Sequence, residues 1–307
     1  MKIGFLLPLG ESPKLGRPPT FLEIRSLALQ VEEAGFDSVW VYDHLLYRFP
    51  DDLTLGIWEC WSILTALAEA TERVEVGTLV VSALWRNPAL LAKMAVTVDE
   101  ISNGRLILGL GTGAHRPGFD AFGYPFDHRA SRFEEAIEIV TSLLRDGRVD
   151  YQGQYVSAPD CELRPRGPRP GGPPILIASQ GPRMLKLTAK HADAWNAAWF
   201  GPVEGITEAR KDLEIACVEV GRDPATIDVT VGVDVSYPML GMKPSREIDP
   251  ARTLMGTPEE VAAGLRAYEN AGVSHVICAA LADSTYDYAC FVLGRLSEAL
   301  KVYRSES

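Results

Sequence analysis

Apolar residues along the chain fall into two alternating kinds of segment. Short, nearly continuous apolar runs begin near Ile3, Ser38, Val74, Leu106, Pro174, Asp193, Ile227 and His275, the pattern of strands buried on both faces of a parallel sheet. Between them lie longer stretches whose apolar positions recur with the helical period. Thr20–Ala34 turns Ile24, Leu27, Ala28 and Val31 to one side, and Thr20 and Glu23 stand at capping-box spacing at its start. Thr257-Pro258-Glu259-Glu260 and Ser284-x-x-Asp287 are starts of the same kind. Arg129–Gly147 aligns Phe133, Ile137, Val140 and Leu144 and stops at glycine. The most regular stretch is Val74–Gly113. It predicts a strand over Val74–Val81, a helix opened by Asn87-Pro88, and a second strand ending in glycines. The helix carries Leu90, Leu91, Met94, Val98 and Ile101 on one face and stops at Asn103-Gly104. In this βαβ unit the two strand exits, Leu79–Trp85 and Gly109–His115, face the same way.

Eight strands alternating with eight helices predict an α/β fold, a closed (βα)8 barrel. Two helix-turn-strand junctions echo one another, Glu33–Val39 and Glu269–Val276, as repeated units should. Leu106 to Pro174 is the longest interval between strand starts. Its excess falls in an excursion over 146–173 after the fourth helix, which includes the run ELRPRGPRPGGPP. Proline and glycine at that density exclude helix and central strand. A second excursion, 237–254, follows the seventh strand.

Charge and cysteine narrow the partners. A net charge of −11 argues against nucleic acid or anionic membrane as a partner. No apolar run approaches the roughly 20 residues that span a membrane. The N-terminus reads as a first strand in place of a secretion signal. Cys60, Cys161, Cys217, Cys278 and Cys290 are scattered and odd in number, which predicts reduced cytoplasmic thiols and no metal site.

In barrels of this kind the site lies at the C-terminal ends of the strands, which selects the candidates. Asp43-His44 ends strand 2. A histidine there can exchange a proton near neutral pH; the competing reading is a helix cap beside a packed imidazole. His128 and His191 fall in or beside helices, His275 at a strand start, and His115 just after the strand-4 glycines, where it can touch a ligand. GLGTGA at Gly109–Ala114 superficially matches a dinucleotide fingerprint. It follows a fourth strand and lacks the acidic partner on the next one, so a Rossmann site is not expected. Its glycines permit close approach to a ring or phosphate. Ser179–Met184 forms a glycine-containing turn feeding a helix N-terminus, a cradle for an anion or an ordinary turn. Trp58, Trp85 and Trp199 sit near the expected rim, as pocket wall or as core.

Taken together, several stretches resemble the luciferase-like monooxygenase superfamily, and within it the group using the deazaflavin coenzyme F420. They are EEAGFDSVWVYDHL (32–45), GIWECWSILTALAEATERVEVGTLVV (56–81), RNPALLAKMAVTVDEISNGRLILGLGTG (86–113), FDAFGYPFDHRASRFEEAIEIV (119–140), YQGQYV (151–156) and PPILIASQGPRMLKLTAKHADAWN (173–196). The resemblance implies one TIM-barrel domain over residues 1–307. It implies that Asp43 lies against the cofactor ring and that His44 is the proton donor or acceptor. Leu79 and Val80 would be joined by a cis peptide behind the ring, which Ser82 contacts. Gly111, Thr112 and Gly113 would meet the ring or side chain, and Gln180, Gly181, Arg183 and Met184 the phosphate. Where sugar-phosphate dehydrogenases of the group carry a glutamate after the strand-4 glycines, this chain has Ala114. The expected activity is hydride transfer between F420 and a small organic substrate held near Trp58, Trp85, His115 and Trp199. An FMN-dependent monooxygenase is the alternative, and a non-catalytic flavin-binding barrel the third reading. A homodimer through helices 2 and 3 is expected.

Overall fold

The computed structural model describes residues 1–49, 53–201, 203–240, 247–280 and 285–305. Eight parallel strands form a ring: β1 (Lys2–Leu6), β2 (Ser38–Val41), β3 (Glu75–Thr78), β4 (Leu106–Gly111), β5 (Ile175–Ala178), β6 (Ala194–Trp199), β7 (Asp228–Ser236) and β8 (His275–Ala279). Each is hydrogen-bonded to the next, and β8 closes on β1 with Lys2 opposite His275 and Leu6 opposite Ala279. The chain is a TIM barrel, and every strand begins within a residue of its expected start.

The connecting helices are α1 (Phe21–Glu33), α2 (Cys60–Ala70), α3 (Pro88–Ile101), α4 (Arg129–Asp146), α5 (Pro182–His191), α6 (Glu204–Val220), α7 (Pro258–Asn270) and α8 (Tyr286–Ser305). Both fully described capping boxes form, Thr20 with Glu23 and Thr257 with Glu260. Asn87 Oδ1 accepts the Leu90 N–H at 3.0 Å. Ser284, the expected start of the last helix, lies outside the described residues. One expectation fails in α3. Leu90 and Ile101 are exposed, and the buried face is Leu91, Ala92, Ala95, Val98 and Asp99. The inward slot that an aliphatic residue was expected to fill goes to Asp99, which receives the guanidinium of Arg169.

That arginine belongs to the Pro/Gly/Arg run, which straps the end of the barrel where the strands begin. Arg169 also donates to Leu106 O (2.6 Å), and Arg166 donates to Leu144 O (3.1 Å) and Arg145 O (2.8 Å) at the end of α4. The rest of this excursion is an antiparallel hairpin, Arg148–Gln152 with Ser157–Glu162. Glu135 of α4 pins its turn by accepting the N–H groups of Gln154, Tyr155 and Val156. In the second excursion, Thr253–Met255 adds to β7, while residues 241–246 lie outside the described residues. A hairpin over Leu46–Arg48 and Thr54–Gly56 and a short helix over Arg116–Phe122 had no sequence signal either.

A floor seals the barrel at the strand starts. The Trp40 indole occupies the interior beside Gly4 and Gly77, where any Cβ would fall within 2.6 Å of it. Ser38 Oγ accepts the Trp40 indole N–H (2.7 Å) and bonds His275 Nε2 (2.7 Å). The bond satisfies buried polar atoms that would otherwise be costly. His275 is therefore part of the scaffold, on the face where its strand-start position put it.

Candidate active site

Parallel closure puts every strand exit at the opposite end from that floor. β3 leaves through the Leu79–Val80 peptide, which is cis as the resemblance implied. It then forms a two-residue strand, Val81–Ser82, paired with Leu110–Gly111 of β4. The glycines of β4 make room for this bulge. A Cβ on Gly109 would lie 1.8 Å from the Thr78 carbonyl oxygen, and one on Gly111 2.8 Å from a Val80 methyl. The Thr78 hydroxyl fastens the seam, donating to Gly109 O (2.8 Å) and accepting the Gly109 N–H (2.9 Å).

Asp43, just past β2, has a side chain only 1% exposed. Its Oδ2 accepts from the Ser82 N–H (3.0 Å) and Arg86 Nη1 (2.6 Å), and its Oδ1 from Arg86 Nη2 (3.2 Å). Arg86 reaches on to Glu59 Oε1 at 2.7 Å. Glu59 in turn caps α2 through the Trp61 and Ser62 N–H groups. Burial pushes the Asp43 carboxyl above its ordinary value, and the Arg86 guanidinium and Ser82 N–H pull it back. Asp43 thus ties the exits of β2 and β3 together. Arg86 and Glu59 were missed in the sequence; their one signal is an arginine and a glutamate in the loops beside Trp85 and Trp58.

His44 stands next to this ion pair and, among the described residues, has no carboxylate of its own. Ring centroids place it 4.6 Å from Tyr47 and 6.1 Å from Tyr42 and His115. Its buried Nδ1 has no protein partner. Burial, then the neighbouring His115, holds its pKa down to about 4, so the imidazole is neutral at pH 7. Tyr47 comes from the unforeseen hairpin, whose Arg48 N–H donates to His115 Nε2 at 3.1 Å.

The exit of β4 closes against the same group. Thr112 is half-buried. Gly113 packs so closely that a Cβ would meet Ser82 Oγ at 2.8 Å and the Phe119 ring at 2.9 Å. Ser82 Oγ is buried without a partner, as is Trp85 Nε1. Trp85 packs edge-on to Phe119, with ring centroids 5.2 Å apart. Trp58 is half-exposed near the exit of β1, its indole donating to Pro19 O. Trp199 ends β6, three strands round the ring from β3, between Gly232 and the Arg252 guanidinium.

At the exit of β5, Gln180, Gly181 and Arg183 are exposed and Met184 is half-buried. Gly181 has φ +77°, with open space where a Cβ would point. It leads into α5, which has no side-chain cap. The Arg183 guanidinium leans away onto α4, donating to Ser131 Oγ (3.0 Å) and Glu134 Oε2 (2.7 Å). Anion-binding capacity here resides in the free N–H groups of the first turn. Three buried polar atoms without partners (His44 Nδ1, Ser82 Oγ and Trp85 Nε1) and an uncapped helix N-terminus fit a planar heterocycle bearing an anionic tail.

Comparison with known proteins gives the family and the fold. The family model for luciferase-like monooxygenase matches residues 1–238. A 5,10-methylenetetrahydromethanopterin reductase of Archaeoglobus fulgidus is 33% identical over 70% of this chain and 60% of its own. An F420-dependent glucose-6-phosphate dehydrogenase of Amycolatopsis mediterranei is 32% identical over 68% of this chain and 63% of its own. The chain thus spans about three-fifths of the length of these curated relatives. Among solved structures, an F420-dependent secondary alcohol dehydrogenase in complex with an F420-acetone adduct superposes with TM-score 0.79 at 19% identity, over 99% of both chains. The monooxygenase RslO1 from Streptomyces bottropensis superposes with TM-score 0.81 at 22% identity, over 99% of this chain and 100% of its own. By the extent of the family match, this chain belongs to the luciferase-like monooxygenase family.

Proposed function

We propose that this protein is an oxidoreductase that moves a hydride between coenzyme F420 and a small organic substrate. The observation that carries the reading is His44: a buried, neutral imidazole with an unpartnered Nδ1, among the exits of β2, β3 and β4. Leu79 and Val80 would back the ring, with Ser82, Gly111, Thr112 and Gly113 beside it. The first-turn N–H groups after Gly181 would take the phosphate, flanked by Gln180, Arg183 and Met184. When bound, the deazaflavin supplies the two-electron hydride chemistry. The protein's own residues do the rest. Asp43, fixed by Arg86, holds the Ser82 N–H and so the shape of the bulge. His44 gives or takes the proton that balances the hydride. Tyr47, Trp85 and Phe119 shield that exchange from water. Ala114 in place of a carboxylate and the aromatic surroundings of Trp85 favour an apolar or aromatic substrate over a sugar phosphate.

The second reading, an FMN-dependent monooxygenase, draws on the chemistry for which the family is named. Fluorescence quenching separates the two: F420 is expected to bind more tightly than FMN at equal concentration. Preferential binding of FMN selects the second reading, and binding of neither leaves a non-catalytic barrel. We further propose a cytoplasmic homodimer through α2 and α3, where Phe21, Ala66, Ala70 and Ile101 line an open surface groove.

A further inference from the structure

Arg86 is shared between two carboxylates, and the sharing is uneven. Its Nη1 stands 2.6 Å from Asp43 Oδ2, but its Nη2 lies 2.7 Å from Glu59 Oε1 and 3.2 Å from Asp43 Oδ1. A guanidinium left alone with one carboxylate closes on it through two parallel short bonds. Here Glu59 holds the second nitrogen aside. Asp43 Oδ2 therefore takes two bonds, from Arg86 and the Ser82 N–H, while Oδ1 takes one long bond among the described residues. We propose that Glu59 is a positioning residue: by holding Arg86 Nη2 it keeps Asp43 Oδ1 open to accept a hydrogen bond from an N–H of the bound heterocycle.

The place of Glu59 supports a task beyond capping. A helix start needs one short acceptor, and serine, threonine, aspartate or asparagine is the residue preferred there. Glu59 caps α2 by accepting the Trp61 N–H (3.1 Å) and the Ser62 N–H (2.7 Å), and it has the length to reach Arg86 as well. Those backbone donors fix the carboxylate from behind, so its grip on Arg86 orders little that is not ordered already. Burial works against its charge, but the Ser62 and Trp61 donors and Arg86 outweigh it and hold the carboxyl below its ordinary value. Glu59 thus stays ionised at neutral pH and competes with Asp43 for the guanidinium. The inference rests on the cofactor reading above, with Asp43 beside the ring.

The test is binding of F420 and of FMN to the full chain, by fluorescence quenching, beside thermal unfolding of each variant. Glu59→Ser and Glu59→Asp still cap α2 but are too short to reach Arg86, which then closes on Asp43. Both should melt like the wild-type chain while the Kd of the cofactor that binds rises about tenfold, the lower worth of a hydrogen bond to a charged group. Glu59→Gln keeps the length and an acceptor for Arg86, and its Kd should stay within about twofold of the wild-type value. A glutamate that only caps its helix predicts no change in Kd for the serine and aspartate variants. Wild-type binding by Glu59→Ser overturns the proposal, as does a loss that merely follows a lower melting temperature. Wild-type binding by Glu59→Asp, or a loss in Glu59→Gln as large as in Glu59→Ser, assigns the effect to net charge and overturns it too. A wild-type chain that binds neither cofactor overturns the cofactor reading and this inference together; one that binds while all its variants bind alike overturns this inference alone.

Discussion

Asp43 and His44 are neighbours in sequence with opposite electrostatic circumstances. Asp43 has two guanidinium bonds and a backbone donor, while His44 has aromatic rings and an unpartnered Nδ1. Only the histidine is free to exchange a proton. His44→Ala is therefore expected to keep cofactor affinity within about twofold and to slow turnover at least tenfold, the lower range of what a positioned acid or base contributes. Steady-state kinetics beside a binding titration checks this, and unchanged turnover removes His44 from the chemistry. Arg86→Leu acts differently, because it strands a buried carboxylate. Removing one partner of such a pair costs about 3–5 kcal/mol, to be read as a lower urea midpoint. Asp43-His44 was legible because both stand together at a strand exit. Arg86 and Glu59 were not, because their partners lie 43 and 27 residues away in sequence and no periodicity links them.

Periodicity and caps made the regular elements legible, because a strand or an amphipathic helix writes its buried face at fixed spacing. The starts of β1–β8 and the Thr20, Asn87 and Thr257 caps came out as expected, while the third strand ends at Thr78 short of the expected Val81. What the pattern did not show was why an element has the residues it has. In α3 it assigned Leu90 and Ile101 inward by spacing alone, although the inward slot belongs to Asp99 and its distant arginine. In β4 it marked the glycines as room for a ligand, although Gly109 first makes room for the Thr78 backbone of the neighbouring β3. That distinction has a consequence. A Cβ 1.8 Å from a backbone carbonyl cannot be relieved by a side-chain rotation. Gly109→Ala is expected to lose more than about 4 kcal/mol, beyond the range of ordinary substitutions. Thermal unfolding would show it directly. A variant that melts like the parent would mean that the seam between β3 and β4 is looser than this packing implies.

At the scale of the whole barrel, two neutral histidines sit at opposite ends, His44 among the strand exits and His275 in the floor. Their pKa values are held down to about 4 and about 3, against an ordinary 6.5 when the chain unfolds. Between those limits the unfolded chain binds protons that the folded one refuses, so stability rises with pH across the window. The contribution is fully present above about pH 6.5 and is lost as pH falls toward the folded values. By about pH 5 each group costs about 2 kcal/mol of stability. The floor can be isolated from the site. His275→Gln replaces a titrating ring by a side chain that still bonds Ser38 but takes up no proton. Its urea midpoint should start lower at pH 7 through poorer packing against Trp40, and then fall less steeply toward pH 5 than that of the wild-type chain. Parallel slopes for the two proteins would mean that water already reaches the floor. The barrel would then be open at its base, and the shielding that keeps His44 neutral would depend on the rim alone.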